Sequence, residues 1–126
     1  MKKVPFEYFG AGQEIYFNIE RLIQFESISK RPIGTVISTE ALDITNLTIL
    51  ISVGLRHYGN KNPQYYAQEL QRLIDAEECD IQDMQMDIVK ALAGSGALGK
   101  EAKLLFFPDE FTKKEQEQIA EEARKN

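Results

Sequence analysis

Six consecutive residues, Gly94-Ser95-Gly96-Ala97-Leu98-Gly99, spell G-x-G-x-x-G, a spacing with which backbone elsewhere approaches a pyrophosphate at a helix N-terminus. That chemistry needs a strand before the motif and a helix after it. Here a helical pattern precedes it and an apolar patch ending at Pro108 follows, so the run reads as a helix C-cap and linker. Asp80, Asp83 and Asp87 recur at spacings of three and four, which aligns them on one helical face. Hard-cation sites usually add loop carbonyls or acids from other elements, and none is indicated, so the three read as a solvated acidic face. His57 is the only histidine, without a second ligand at zinc spacing, and beside Arg56 and Tyr58 it reads as satisfying carbonyls at a helix C-terminus. Cys79, the only cysteine, has acidic neighbours in Glu77, Glu78 and Asp80, which should raise its thiol pKa and make it a poor nucleophile. No Ser/His/Asp or Cys/His set can be assembled. The residues therefore point to no enzyme, no cofactor and no metal.

The elements that hold these residues centre on Asp43 to Tyr58, the most apolar run of the chain. Ile44, Leu47, Ile51, Leu55 and Tyr58 recur at three and four, with Leu50 and Val53 widening the face, which predicts a central buried helix. Its β-branched content would also suit a strand, but the spacing, the length and the capping residues Asp43 or Thr45 favour helix. Gly54, costly inside a helix by about 1 kcal/mol, implies close approach of a neighbouring element.

Before this helix, Val4 to Phe9 alternates, Gly10-Ala11-Gly12 turns, and Glu14 to Phe17 is apolar again, which predicts a β-hairpin with Pro5 on an edge strand. Asn18 can cap a helix to about Ser29 that buries Ile19, Leu22, Ile23 and Phe25, and Lys30-Arg31-Pro32 ends it. Ile33 to Leu42 reads as a loop in which Thr35-Val36-Ile37 could be a short strand. After the centre, Asn62 and Pro63 start a helix to about Ala76 that buries Tyr66, Leu70, Leu73 and Ile74. Asp80 starts another with Ile81, Met84, Ile88, Ala91 and Leu92 inward. Thr112 and Glu115 form a capping box for a charged last helix with only Ile119, Ala120 and Ala123 to bury. The fold class is thus mainly α with a small N-terminal β-hairpin (α+β). Residues 1–93 form one α-rich domain, and 94–126 form a linker and helical tail, expected to be a mobile appendage or one ordered by a partner.

With 126 residues, 43% hydrophobic, the chain can bury a core of its own. Its formal net charge of −5 is localised: Glu69, Asp75, Glu77, Glu78, Asp80, Asp83 and Asp87 stand against Arg72 and Lys90 between Pro63 and Lys90. An acidic chain without a basic stripe lacks the phosphate affinity that nucleic-acid binding requires. The central run is shorter than the ~20 apolar residues of a membrane span. The N-terminus lacks an apolar signal segment, and a lone cysteine suits a reducing compartment, so the expected location is the cytoplasm.

Apolar surface is in excess of what a small core needs. Phe6, Tyr8, Phe9, Tyr16, Phe17 and Phe25 crowd the N-terminal third, and Leu104, Leu105, Phe106, Phe107 and Phe111 lie in a segment that otherwise reads as surface. Both groups can be core, and both can be binding surface. The C-terminal five, together with faces of the helices around Leu47 to Tyr58, are the candidate partner-binding residues.

The order of elements carries a resemblance. A hairpin runs into FNIERLIQFESISKRPI (Phe17 to Ile33), and after a loop come LTILISVGLRH (Leu47 to His57), a turn and YYAQELQRLID. This resembles the tail assembly chaperones of long-tailed bacteriophages, whose first helix carries a run of the type L-x-x-x-E followed by proline and whose second carries L-x-x-L-x-x-x-G-L. Leu22 and Glu26, followed by Pro32, match the first, and Leu47, Leu50, Gly54 and Leu55 match the second, within a likeness that spans about residues 6 to 92. The resemblance implies a small cytoplasmic protein that binds the tape measure protein, helps recruit tail tube protein to it, is absent from the finished particle, and acts by binding without nucleotide hydrolysis. Self-association is compatible with it. A structural tail or connector component, and a prophage or host cytoplasmic adaptor, are the alternatives.

Overall fold

The computed structural model describes residues 1–38 and 42–125. Strands β1 (Val4–Pro5) and β2 (Glu14–Ile15) pair antiparallel, with Val4 opposite Ile15 and Pro5 opposite Glu14. Helices α1 (Ile19–Ser29), α2 (Ile33–Ser38), α3 (Ile44–Gly54), α4 (Pro63–Asp75), α5 (Ile81–Gly94), α6 (Lys100–Phe106) and α7 (Lys113–Lys125) follow. Short 3₁₀ turns cover Arg56–Tyr58 and Pro108–Glu110. The chain is mainly helical with a small N-terminal hairpin, as the patterning predicts.

Helix α3 is the centre. It packs most closely on α1 and α4, and it is buried on nearly every side, from Asn46 through Gly54 with only Ser52 half-exposed. The expected single apolar face is therefore too narrow. Ile44 and Tyr58, placed inward by their spacing, are exposed at the two ends. The helix also stops earlier than expected, at Gly54, because Arg21 reaches across from α1. Its Nη1 donates to the carbonyls of Val53 and Gly54 at 3.2 and 2.9 Å. In a continued helix those carbonyls would accept amides one turn on, so the guanidinium replaces that turn. Gly54 is required by contact: a Cβ there would lie 2.5 and 2.7 Å from Ile15 carbons and 2.9 Å from Phe17 Cζ.

Helix α1 turns a different face inward from the expected one. Arg21, Leu22 and Phe25 are buried, while Ile19 and Ile23 are 62% and 61% exposed. At 100° per residue, Ile19 and Ile23 each stand about 160° from Arg21, so burying the arginine forces both isoleucines out. The segment expected as a loop or short strand is helical over Ile33–Ser38. Val36 is buried in the core, and the Ile33 amide donates to Glu26 Oε2 at 2.8 Å. A buried anchor and a carboxylate on a first-turn amide outweigh the helix-breaking cost of Gly34. Thr39, Glu40 and Ala41, within the stretch expected as a loop, lie outside the described residues.

The caps form where local spacing places them. Asn18, Asp43, Asn62 and Asp80 accept from the amides of Arg21, Asn46, Tyr65 and Gln82, and Pro63 takes the first turn of α4. In α4 the inward residues are Tyr66, Leu70 and Leu73; Ile74 is exposed, since α4 presents a stripe one residue narrower. The hairpin itself is shorter than its alternation suggests, two residues per strand, because Tyr8 and Phe9 leave the ladder to pack on helices. Phe6, Phe17 and Phe25 are fully buried, and Phe9 meets Tyr66 edge-on at 5.1 Å. Phe6, Phe17 and Phe25 are core, each contributing about 2–3 kcal/mol of burial, with Tyr8 and Phe9 partly buried against them.

Candidate interaction surface

The G-x-G-x-x-G run turns the chain out of α5. Gly96 and Gly99 adopt φ of 83° and 92°, a region that favours glycine, and the turn's polar groups close on one another. The Gly99 amide donates to Gly96 O at 3.2 Å, and the Ser95 hydroxyl donates to Leu92 O and accepts from the Ala97 amide. The run is the C-terminal end of α5 and a connector. The segment beyond it is tied back onto the body. The Lys2 amide donates to Gly94 O at 3.1 Å, Lys2 Nζ pairs with Glu110 at 2.7 Å, and Phe107 lies where a Cβ on Gly94 would be 3.2 Å from its ring.

Helices α6 and α7 then pack on each other. The capping box closes in both directions: Thr112 N donates to Glu115 Oε1 at 3.0 Å, and Glu115 N donates to Thr112 Oγ1 at 3.1 Å. Ile119 is the residue of α7 that becomes buried. Between the helices runs an apolar groove of about 470 Å³. Leu104, Leu105 and Pro108 line one side and Ile119, Ala120 and Ala123 the other, with Glu101 and Gln116 supplying the polar groups. Leu105 is 74% exposed.

The structure divides the five candidate residues. Leu104 and Leu105 line the groove together. Phe107 packs against the main core, with Lys90 Nζ 5.5 Å from its ring. Phe106 and Phe111 are half-buried and do not line the groove; the Phe111 carbonyl accepts from Gln116 Nε2 at 3.1 Å. The sequence reading missed the α7 wall, Ile119, Ala120 and Ala123, as part of one surface with the leucines. Their spacing of three and four on a charged helix was the signal.

The other candidates hold structural posts. Asp80 caps α5, Asp87 accepts from the Tyr8 hydroxyl at 2.8 Å, and Asp83 sits in the first turn of α5. Burial first and the Asp87 contact second push the Tyr8 phenol well above its ordinary range. Among the described residues, no group of three His, Cys, Asp or Glu side chains is placed to hold a metal ion. Burial, then Asp80 and Glu78, raises the Cys79 thiol, the direction its neighbours imply. His57 does contact a carbonyl, but one from β2 rather than from its own helix: Nε2 lies 3.0 Å from Glu14 O, while Arg21 serves the carbonyls of α3.

No protein-family model, curated protein or solved structure matches this chain. Among the described residues, no helix is long and apolar enough to cross a membrane.

Proposed function

We propose that the protein is a tail assembly chaperone of a long-tailed phage or prophage. It binds the tape measure protein in the host cytoplasm and helps recruit tail tube subunits, acting by binding without catalysis. The observation that carries this reading is the α6–α7 groove, an apolar trough open to solvent with Leu105 standing out of its edge. A groove of this kind suits the apolar stripe of a long helical chain, which such a chaperone must cover until assembly. The resemblance of the α1 and α3 segments to that family supports the same conclusion.

The test is capture of the N-terminally tagged protein from cells that also express its neighbouring reading frames, with the bound chains identified by mass spectrometry. Recovery of a very long helical protein, and absence of this chain from finished particles, is the expected result. Recovery of portal or tube-end proteins alone, with the chain retained in particles, overturns the proposal in favour of a structural tail component.

A further inference from the structure

Beside the hairpin, β2, α1 and the end of α3 meet around a buried cation. Arg21 is 3% exposed and, among the described residues, forms no ion pair. Besides the two α3 carbonyls, it donates through Nη2 to the Tyr16 hydroxyl at 2.6 Å and stacks 3.8 Å over the Tyr16 ring. Its Nη1 also lies 3.1 Å from His57 Nδ1. Nη1 carries two N–H groups for these three acceptors, so one N–H is shared; a guanidinium can only donate, so Nδ1 is an acceptor and the neutral imidazole carries its proton on Nε2. That proton is donated to Glu14 O at 3.0 Å. The neutral ring therefore ties α1 to β2 through one bond on each nitrogen. Tyr58 completes the tie, its hydroxyl accepting from the Glu14 amide at 2.8 Å.

We propose that this His57–Arg21 contact is an acid-released latch on the hairpin. A proton taken from solvent onto Nδ1 turns acceptor into donor, sets two N–H groups and two positive charges against each other, and breaks the bond. The charged and titratable groups facing the ring are Arg21 from α1, Lys3 from the N-terminal segment, Glu14 and Tyr16 from β2 and its extension, and Tyr58. Two cations oppose one carboxylate, so the surroundings resist the charged ring. Burial and then Arg21 hold the His57 pKa below its ordinary value, in keeping with this arrangement. Release cuts the α1 end of this tie while the Nε2–H bond to Glu14 O persists, so α1 parts from the strand whose Ile15, together with Phe17, covers Gly54.

The decisive experiment is a pH titration of the full chain followed by nitrogen NMR of the imidazole and by exchange of the Glu14 and Phe6 amides, both held within the hairpin region. The expected result is an Nε2–H tautomer that titrates below a free histidine, with loss of amide protection through the same range. The variant His57→Gln keeps an acceptor and a donor but cannot titrate, and it retains protection there. An Nδ1–H tautomer, titration at or above the free value, or equal loss of protection in His57→Gln overturns the latch. The imidazole titration alone decides if the variant does not fold.

Discussion

Replacing Gly54 with alanine isolates the contact around which the fold closes. A methyl at this position would meet three carbon atoms within 3.0 Å, two from Ile15 and one from Phe17, and both of those residues are fully buried. None can swing into solvent, so relief requires moving β2 off α3. Overpacking of this kind costs about 1–3 kcal/mol, and three simultaneous contacts place it near the upper end. Alanine recovers about 1 kcal/mol of helix propensity, which leaves a net loss of about 2 kcal/mol. At roughly 3–6 °C per kcal/mol for a chain of this size, the melting temperature should fall by about 6–12 °C. Gly34 supplies the internal control, because it lies in α2 with nothing within 4 Å of an added Cβ. Gly34→Ala should stabilise by about 0.5–1 kcal/mol. Thermal melts of the two variants by far-UV circular dichroism test the pair. A Gly54→Ala protein as stable as the parent would refute the close approach of hairpin and helix.

Arg21→Met should lower stability by about 3 kcal/mol or more in urea titrations, since the Val53 and Gly54 carbonyls lose their donor inside the fold. Leu105→Ser, at an exposed position, should shift stability by less than about 0.5 kcal/mol while reducing partner capture in the pull-down. Phe107→Ser, by contrast, should destabilise by about 1–3 kcal/mol, because its ring packs on Gly94 and the core. The folded His57 pKa lies below the unfolded one, so unfolded chains bind the extra proton first. Stability from this residue is complete above about pH 6.5 and should decline as pH falls from there through the folded pKa, a slope that melts of His57→Gln should lack.

The candidate surface was half legible. Leu104 and Leu105 stood out as apolar residues in a polar segment, but so did Phe107, and composition cannot tell an exposed side chain from one that folds back onto the body. That distinction depends on Gly94, thirteen residues away, leaving room for the ring. Ile119, Ala120 and Ala123 looked like too little to dock a helix. They become one wall of a groove only once α6 lies beside them. Local spacing does not mark Arg21 for burial; its burial follows from two carbonyls thirty-two and thirty-three residues along the chain.

What the sequence by itself determined is what acts over a few residues. Asn18, Asp43, Asn62, Asp80 and the Thr112–Glu115 pair place the starts of five helices, since a cap and its amide lie two or three residues apart. The periodicity of α3, α4 and α5 likewise marks them as helices without reference to any neighbour. Only the tertiary structure decided which face of α1 turns inward, that Ile33–Ser38 winds into a helix, that α3 stops at Gly54, and which C-terminal residues share a groove. Each of these is the outcome of competition between distant groups for the same buried space or the same carbonyl, and that competition exists only after the elements have met.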